Sequence, residues 1–74
     1  MTSLPRVSGR EVVSALERIG FAVDRQKGSH VVLRSVSPPY RRVVVPMHRE
    51  LAKGTLRAII RQTGLTVEEF KALL

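Results

Sequence analysis

The sequence predicts an α+β fold: a helix, a three-stranded antiparallel sheet, a second helix and a short C-terminal helix. Three observations predict it. Apolar residues recur at helical spacing in residues 8–20 and again after residue 53. Between those stretches the apolar period falls to two, the spacing of a strand. The turns between the three strand candidates are too short for a parallel crossover, which needs about a dozen residues, so the strands must form an antiparallel meander. A three-stranded sheet cannot bury itself, and the helices are expected to cover one face and leave the other partly open.

The first helix is announced by Ser8-Gly9-Arg10-Glu11, a capping box in which Ser8 accepts from the backbone and Glu11 reaches back. Val12, Leu16 and Ile19, with Val13 beside them, fall on one helical face, and Gly20 suits the left-handed position that ends the helix. From Phe21 the alternation sets Phe21, Val23 and Arg25 against Ala22, Asp24 and Gln26, with Lys27-Gly28-Ser29 as the turn. Val31-Val32-Leu33 carries the second strand, and Ser37-Pro38-Pro39 breaks it, because proline cannot donate to a sheet ladder. Tyr40 to Val45 reads as the third strand, stopped by Pro46. Met47 to Lys53 reads as a polar connection, after which Gly54 or Thr55 opens a helix with Leu56, Ile59 and Ile60 inward and Gly64 as its stop. Thr66-Val67-Glu68-Glu69 repeats the capping-box pattern and starts a short last helix burying Val67, Phe70 and Leu73 or Leu74.

The 74 residues are read as a single domain, 1–74, with 1–7 as a flexible N-terminus. A domain this small buries only about 60% of its unfolded surface, so its core must be compact. Hydrophobic content of 43% with 26% charged residues argues for a folded chain and against a disordered basic tail. With no cysteine there is neither a disulfide scaffold nor a thiolate metal site. The first residues lack the apolar core of a signal peptide, and the longest apolar run, Val43 to Met47, is too short to span a bilayer. A cytoplasmic protein without a membrane partner is expected.

Thirteen Lys and Arg against six Asp and Glu give a net charge of +7, which favours a polyanionic partner, nucleic acid first. The cations gather around Arg25-Gln26-Lys27-Gly28-Ser29-His30, which runs straight into Val31-Val32-Leu33-Arg34. Histidine is the one side chain whose ordinary pKa, ~6.5, lets it serve as acid or base near neutrality. His30 is therefore the catalytic candidate, with Arg25, Lys27, Gly28, Ser29 and Arg34 as RNA-binding candidates. Gly28 permits close backbone approach to a ligand, and Ser29 could donate to a phosphate oxygen. If His30 starts the second strand, it shares a face with Val32 and Arg34, while Val31 and Leu33 occupy the other. A surface histidine in an ordinary hairpin fits the same spacing. His48, in Val45-Pro46-Met47-His48-Arg49-Glu50, is a second candidate because it follows a strand into a loop. Without cysteine or an acidic cluster beside either histidine, no metal site and no cofactor are expected. Arg57 and Arg61 share a helical face, and Arg41, Arg42, Arg49 and Lys53 extend the cationic footprint. Aromatic residues are few, so recognition by backbone or shape is favoured over base stacking.

The chain resembles the HicA (YcfA-like) toxins, the mRNA interferases of bacterial toxin–antitoxin pairs. The resemblance lies in Arg25-Gln26-Lys27-Gly28-Ser29-His30, Val45-Pro46-Met47-His48, Glu50-Leu51, and Lys53-Gly54-Thr55-Leu56-Arg57 through Gln62-Thr63-Gly64-Leu65, with Ile19-Gly20-Phe21 before them. It implies a fold like the double-stranded RNA-binding domain, metal-independent RNA cleavage with His30 as the catalytic residue, and a HicB-type antitoxin as protein partner. The chain departs from the family in the connection Ser35 to Tyr40, which has two prolines where members commonly have a compact glycine-containing turn. The reading is an endoribonuclease toxin acting on mRNA. Two alternatives stand beside it: a non-catalytic RNA-binding module in which His30 is a backbone contact, and a basic adaptor for an acidic protein.

Overall fold

A computed structural model describes residues 3–74. Its elements follow the order α1 (Gly9–Arg18), β1 (Phe21–Lys27), β2 (His30–Ser35), β3 (Arg42–Pro46), α2 (Lys53–Thr63) and α3 (Val67–Lys71), with the antiparallel sheet ordered β1-β2-β3.

The capping box forms at α1: the Glu11 N–H donates to Ser8 Oγ at 3.0 Å and the Ser8 N–H to Glu11 Oε1 at 2.9 Å. Val12, Ala15 and Leu16 are fully buried. Ile19, expected on the same stripe, is 40% exposed, because it is the C-cap (φ −111°, ψ 17°) and has left the helical path. A second capping box, Thr66 with Glu69, starts α3 and sets Phe70 into the core with no exposed surface. That helix ends at Lys71; Leu74 is 49% exposed and does not join the core. The Arg18 side chain donates to the carbonyl of Leu73, tying the last turn to α1.

α2 opens at Lys53, one or two residues earlier than the sequence suggested, and Gly64 ends it in the left-handed conformation. Leu56, Ile59 and Ile60 point inward as expected, with Thr63 buried beside them and its hydroxyl donating to the Ile60 carbonyl at 2.6 Å. The connection before α2 is not wholly polar. Leu51 is buried, and its N–H donates to the Val7 carbonyl at 2.9 Å. Val7 is itself buried and Leu4 packs against the core; the first two residues of the expected flexible N-terminus lie outside the described residues.

β3 begins at Arg42 and not at Tyr40, which is 69% exposed. The N–H of Arg41 donates to the Pro39 carbonyl at 2.8 Å and to Ser35 Oγ at 2.7 Å, so the segment is held as a loop before the ladder starts. Along β1 the two-residue alternation is interrupted: Val23 pairs with Leu33 and Arg25 with Val32, leaving Asp24 without a cross-strand residue opposite it in a β-bulge.

The bulge decides where the cations go. Val31, Leu33, Val43 and Val45 face the helices and enter the core. Uninterrupted alternation from Phe21 and Val23 would have turned Arg25 and Lys27 to that same side of the sheet. One extra residue turns both to the opposite face, across from Val32 and His30. The sequence had placed Arg25 with Phe21 and Val23, and the bulge corrects that assignment.

Candidate active site

The open face of the sheet carries Arg25 and Lys27 from β1, His30, Val32 and Arg34 from β2, and Arg42, Val44 and Pro46 from β3, as the cross-strand pairing requires. Val32 is 5% exposed yet stands outside the main core cluster. It forms an apolar floor between its cross-strand neighbours Arg25 and Val44. His30 and the four cations are exposed.

His30 begins β2 directly opposite Lys27, with Gly28 and Ser29 as the whole loop between them. Gly28 has φ +59° and Ser29 does not have a positive φ, the pattern of a type II′ turn, whose first central position needs glycine. The tip is braced from both sides. Gln26 Nε2 donates to the Gly28 carbonyl at 3.2 Å, and the Met47 N–H donates to the Ser29 carbonyl at 2.6 Å. Directly opposed side chains in such a pair have Cβ atoms about 5 Å apart, so the Lys27 ammonium can hold an anion against the imidazole. Ser29 Oγ stands 3.5 Å from His30 Nδ1. If the hydroxyl donates to Nδ1, Nε2 carries the ring proton and can donate a hydrogen bond; if it accepts from Nδ1, Nε2 of the neutral ring is free to act as a base.

The sequence model of the HicA toxins of bacterial toxin–antitoxin systems matches residues 9–65, α1 through the end of α2. That span contains the whole open face and the hairpin carrying His30. The chain belongs to the HicA toxin family. Among solved structures, it is similar to a chain of a toxin–antitoxin complex from Streptococcus pneumoniae, at 33% identity and a TM-score of 0.64 over 80% of this chain and 98% of that one. No curated protein sequence matches it significantly.

Within this HicA domain the site residues named from sequence fall in three places. Arg25, Lys27, Gly28, Ser29 and His30 come together at the hairpin. Arg34 lies on the same face but four residues along β2, about 13 Å from His30. Its Nε also faces Asp24 Oδ2 at 3.3 Å, a half-exposed ion pair that competes with any phosphate there. His48 is separate: it lies two residues beyond Pro46, the cross-strand partner of His30, and its carbonyl accepts from the Gly9 N–H at 2.9 Å.

Sequence reading placed Arg41 and Arg42 together, and the structure divides them. Arg42 lies opposite Arg34 on the open face and joins the cationic field. The Arg41 guanidinium packs over Gly64, close enough that an added Cβ would meet it at 2.7 Å. There it places positive charge against the C-terminal end of α2, the favourable end of the helix dipole for a cation. Alternation counted back from Val43 and Val45 was the signal that could have assigned Arg42 outward. No group of three or more His, Asp or Glu among the described residues could hold a metal ion, and no helix among them is long and apolar enough to cross a membrane.

Proposed function

We propose that this HicA toxin is a metal-independent endoribonuclease, that His30 is its acid–base residue, and that the open sheet face is its RNA-binding surface. The observation that carries the reading is the placement of exposed His30 at a braced hairpin end, directly across from Lys27 and on the face that bears Arg25, Arg34 and Arg42. A phosphodiester held by Lys27 and Arg25 meets the imidazole edge, while Gly28 leaves the backbone open to close approach.

In the reaction, His30 takes the proton of a ribose 2′-OH. The 2′-oxygen attacks the adjacent phosphorus, the bond from phosphorus to the 5′-oxygen breaks, the departing 5′-oxygen takes a proton from water, and the proton held on His30 neutralises the hydroxide left behind. The products are a 2′,3′-cyclic phosphate and a 5′-hydroxyl. One histidine cannot give and take a proton in the same instant, which is why water is assigned the second role. The nearby cations offset the charge that gathers on the phosphoryl oxygens. Cleavage of mRNA in the cytoplasm would stop translation and growth. A HicB-type antitoxin with an acidic surface would silence the enzyme by covering this face.

The test is cleavage of a defined RNA in excess EDTA, with the chemistry of the new ends determined. Cleavage is expected to persist and to leave 2′,3′-cyclic phosphate and 5′-hydroxyl ends. An absolute requirement for a divalent ion, or 5′-phosphate products, would point to metal-assisted attack by water and refute the scheme. Salt-dependent RNA binding without any cleavage would leave a non-catalytic RNA-binding module.

A further inference from the structure

A cationic depression opens at the hairpin end of the molecule. It has a volume of about 290 Å³ and is lined by Ser8, Arg10, Met47, His48 and Arg49. Neither Arg10 nor Arg49 forms an ion pair or side-chain hydrogen bond with another described residue. The neighbouring Glu11 carboxylate is engaged by the Ser8 N–H at 2.9 Å as part of the helix cap.

Gly9 is the reason the two halves of this depression meet. It is buried, its N–H donates to the His48 carbonyl at 2.9 Å, and a Cβ there would come within 2.1 Å of the Pro46 carbonyl oxygen. Any larger residue would push the start of α1 away from the end of β3, and Arg10 away from His48 and Arg49. Most of the α1 N-terminus is already occupied, since the N–H groups of Ser8, Gly9, Glu11 and Val12 all have protein partners. The binding capacity lies in the side chains.

The concavity is continuous with the hairpin. Pro46 is the cross-strand partner of His30, and the Met47 N–H is bonded to the Ser29 carbonyl. Along the backbone, His48 therefore lies within about 13 Å of His30. An RNA strand whose cleaved phosphate sits at His30 can pass over Pro46 and deliver a neighbouring phosphate to the two arginines.

We propose that the depression formed by Ser8, Arg10, His48 and Arg49 is a phosphate subsite for the RNA strand flanking the cleaved bond. The proposal rests on the ribonuclease reading above for its substrate, and its test separates the two. The salt dependence of binding to a mixed-sequence single-stranded oligoribonucleotide is measured for H30A, which cannot consume the probe, and for H30A/R10Q/R49Q; cleavage by the unaltered protein is measured alongside. Thermal unfolding checks that the added substitutions, both on exposed side chains, leave the fold intact.

Removing two phosphate-binding charges should make the slope of log affinity against log salt shallower by about 1.4, at about 0.7 per neutralised phosphate on a single strand. An unchanged slope together with RNA cleavage by the unaltered protein overturns the subsite and leaves the ribonuclease reading standing. A shallower slope without cleavage removes the ribonuclease reading and overturns the subsite's place beside a cleaved bond, leaving the depression a phosphate contact of an RNA-binding module. Salt-independent binding by H30A overturns the subsite outright.

Discussion

The two faces of the sheet share one backbone and differ in nearly everything else. On the helix-covered side, Val31, Leu33, Val43 and Val45 are 0–4% exposed and interlock with Leu16, Leu56, Ile59 and Phe70. On the open side, Arg25, Lys27, His30, Arg34 and Arg42 stand in solvent. Adjacent residues of the same strand thus answer to different demands, volume on one side and charge on the other. Val32, with Val44 and Pro46 beside it, tempers the contrast: it is an apolar residue on the charged face, buried between Arg25 and Val44. The contrast teaches that the fold and the proposed chemistry can be altered nearly independently, one by inward and one by outward substitutions.

The contrast would break if an inward change spared the fold. Leu33→Ala removes a side chain with no exposed surface from the centre of β2. Such truncations cost about 2–5 kcal/mol, and in a domain this small that is enough to unfold a large fraction of the molecules. Denaturant titration should show a large drop in stability, with RNA binding reduced in proportion to the unfolded fraction. A folded, stable L33A protein would mean the core is more plastic than its packing indicates.

The outward counterpart is R25Q/K27Q. Both side chains are exposed, so unfolding free energy should stay within about 0.5 kcal/mol of the parent per substitution. RNA affinity should nevertheless fall across sequences, and the salt slope should become shallower by about 0.7 for each phosphate no longer neutralised. Undiminished RNA binding would move the footprint off this face; a large drop in stability would show that these cations serve the fold after all.

The fold was legible in the sequence to the extent that its signals are local. Ser8 with Glu11 and Thr66 with Glu69 announce two helix starts, and both capping boxes form. Gly28 fixes the hairpin, and Gly64 ends α2. Features that depend on tertiary packing were not legible. Leu51 and Val7 meet through a backbone hydrogen bond across the chain, and nothing in a polar connection marks Leu51 for burial. The bulge at Asp24 was half legible. Carrying the alternation Phe21, Val23, Arg25, Lys27 forward puts two cations on the helix side of the sheet, which hints at a break, but β1 is exposed beyond Phe21 and burial cost alone did not demand one. The candidate site was legible as a hairpin motif, but its extension to Arg42, and the diversion of Arg41 to the end of α2, needed the sheet register.

If the outward face cuts RNA through His30, the comparison that shows it best is His30→Ala against the parent, followed for cleavage, RNA binding and unfolding together. His30 is exposed at a strand start, so alanine should leave the unfolding transition nearly unchanged and RNA affinity close to that of the parent. Cleavage should fall by ~10²–10⁴-fold, the usual contribution of a positioned acid or base. A folded H30A protein that binds RNA and cuts it at close to the parental rate would remove His30 from the chemistry.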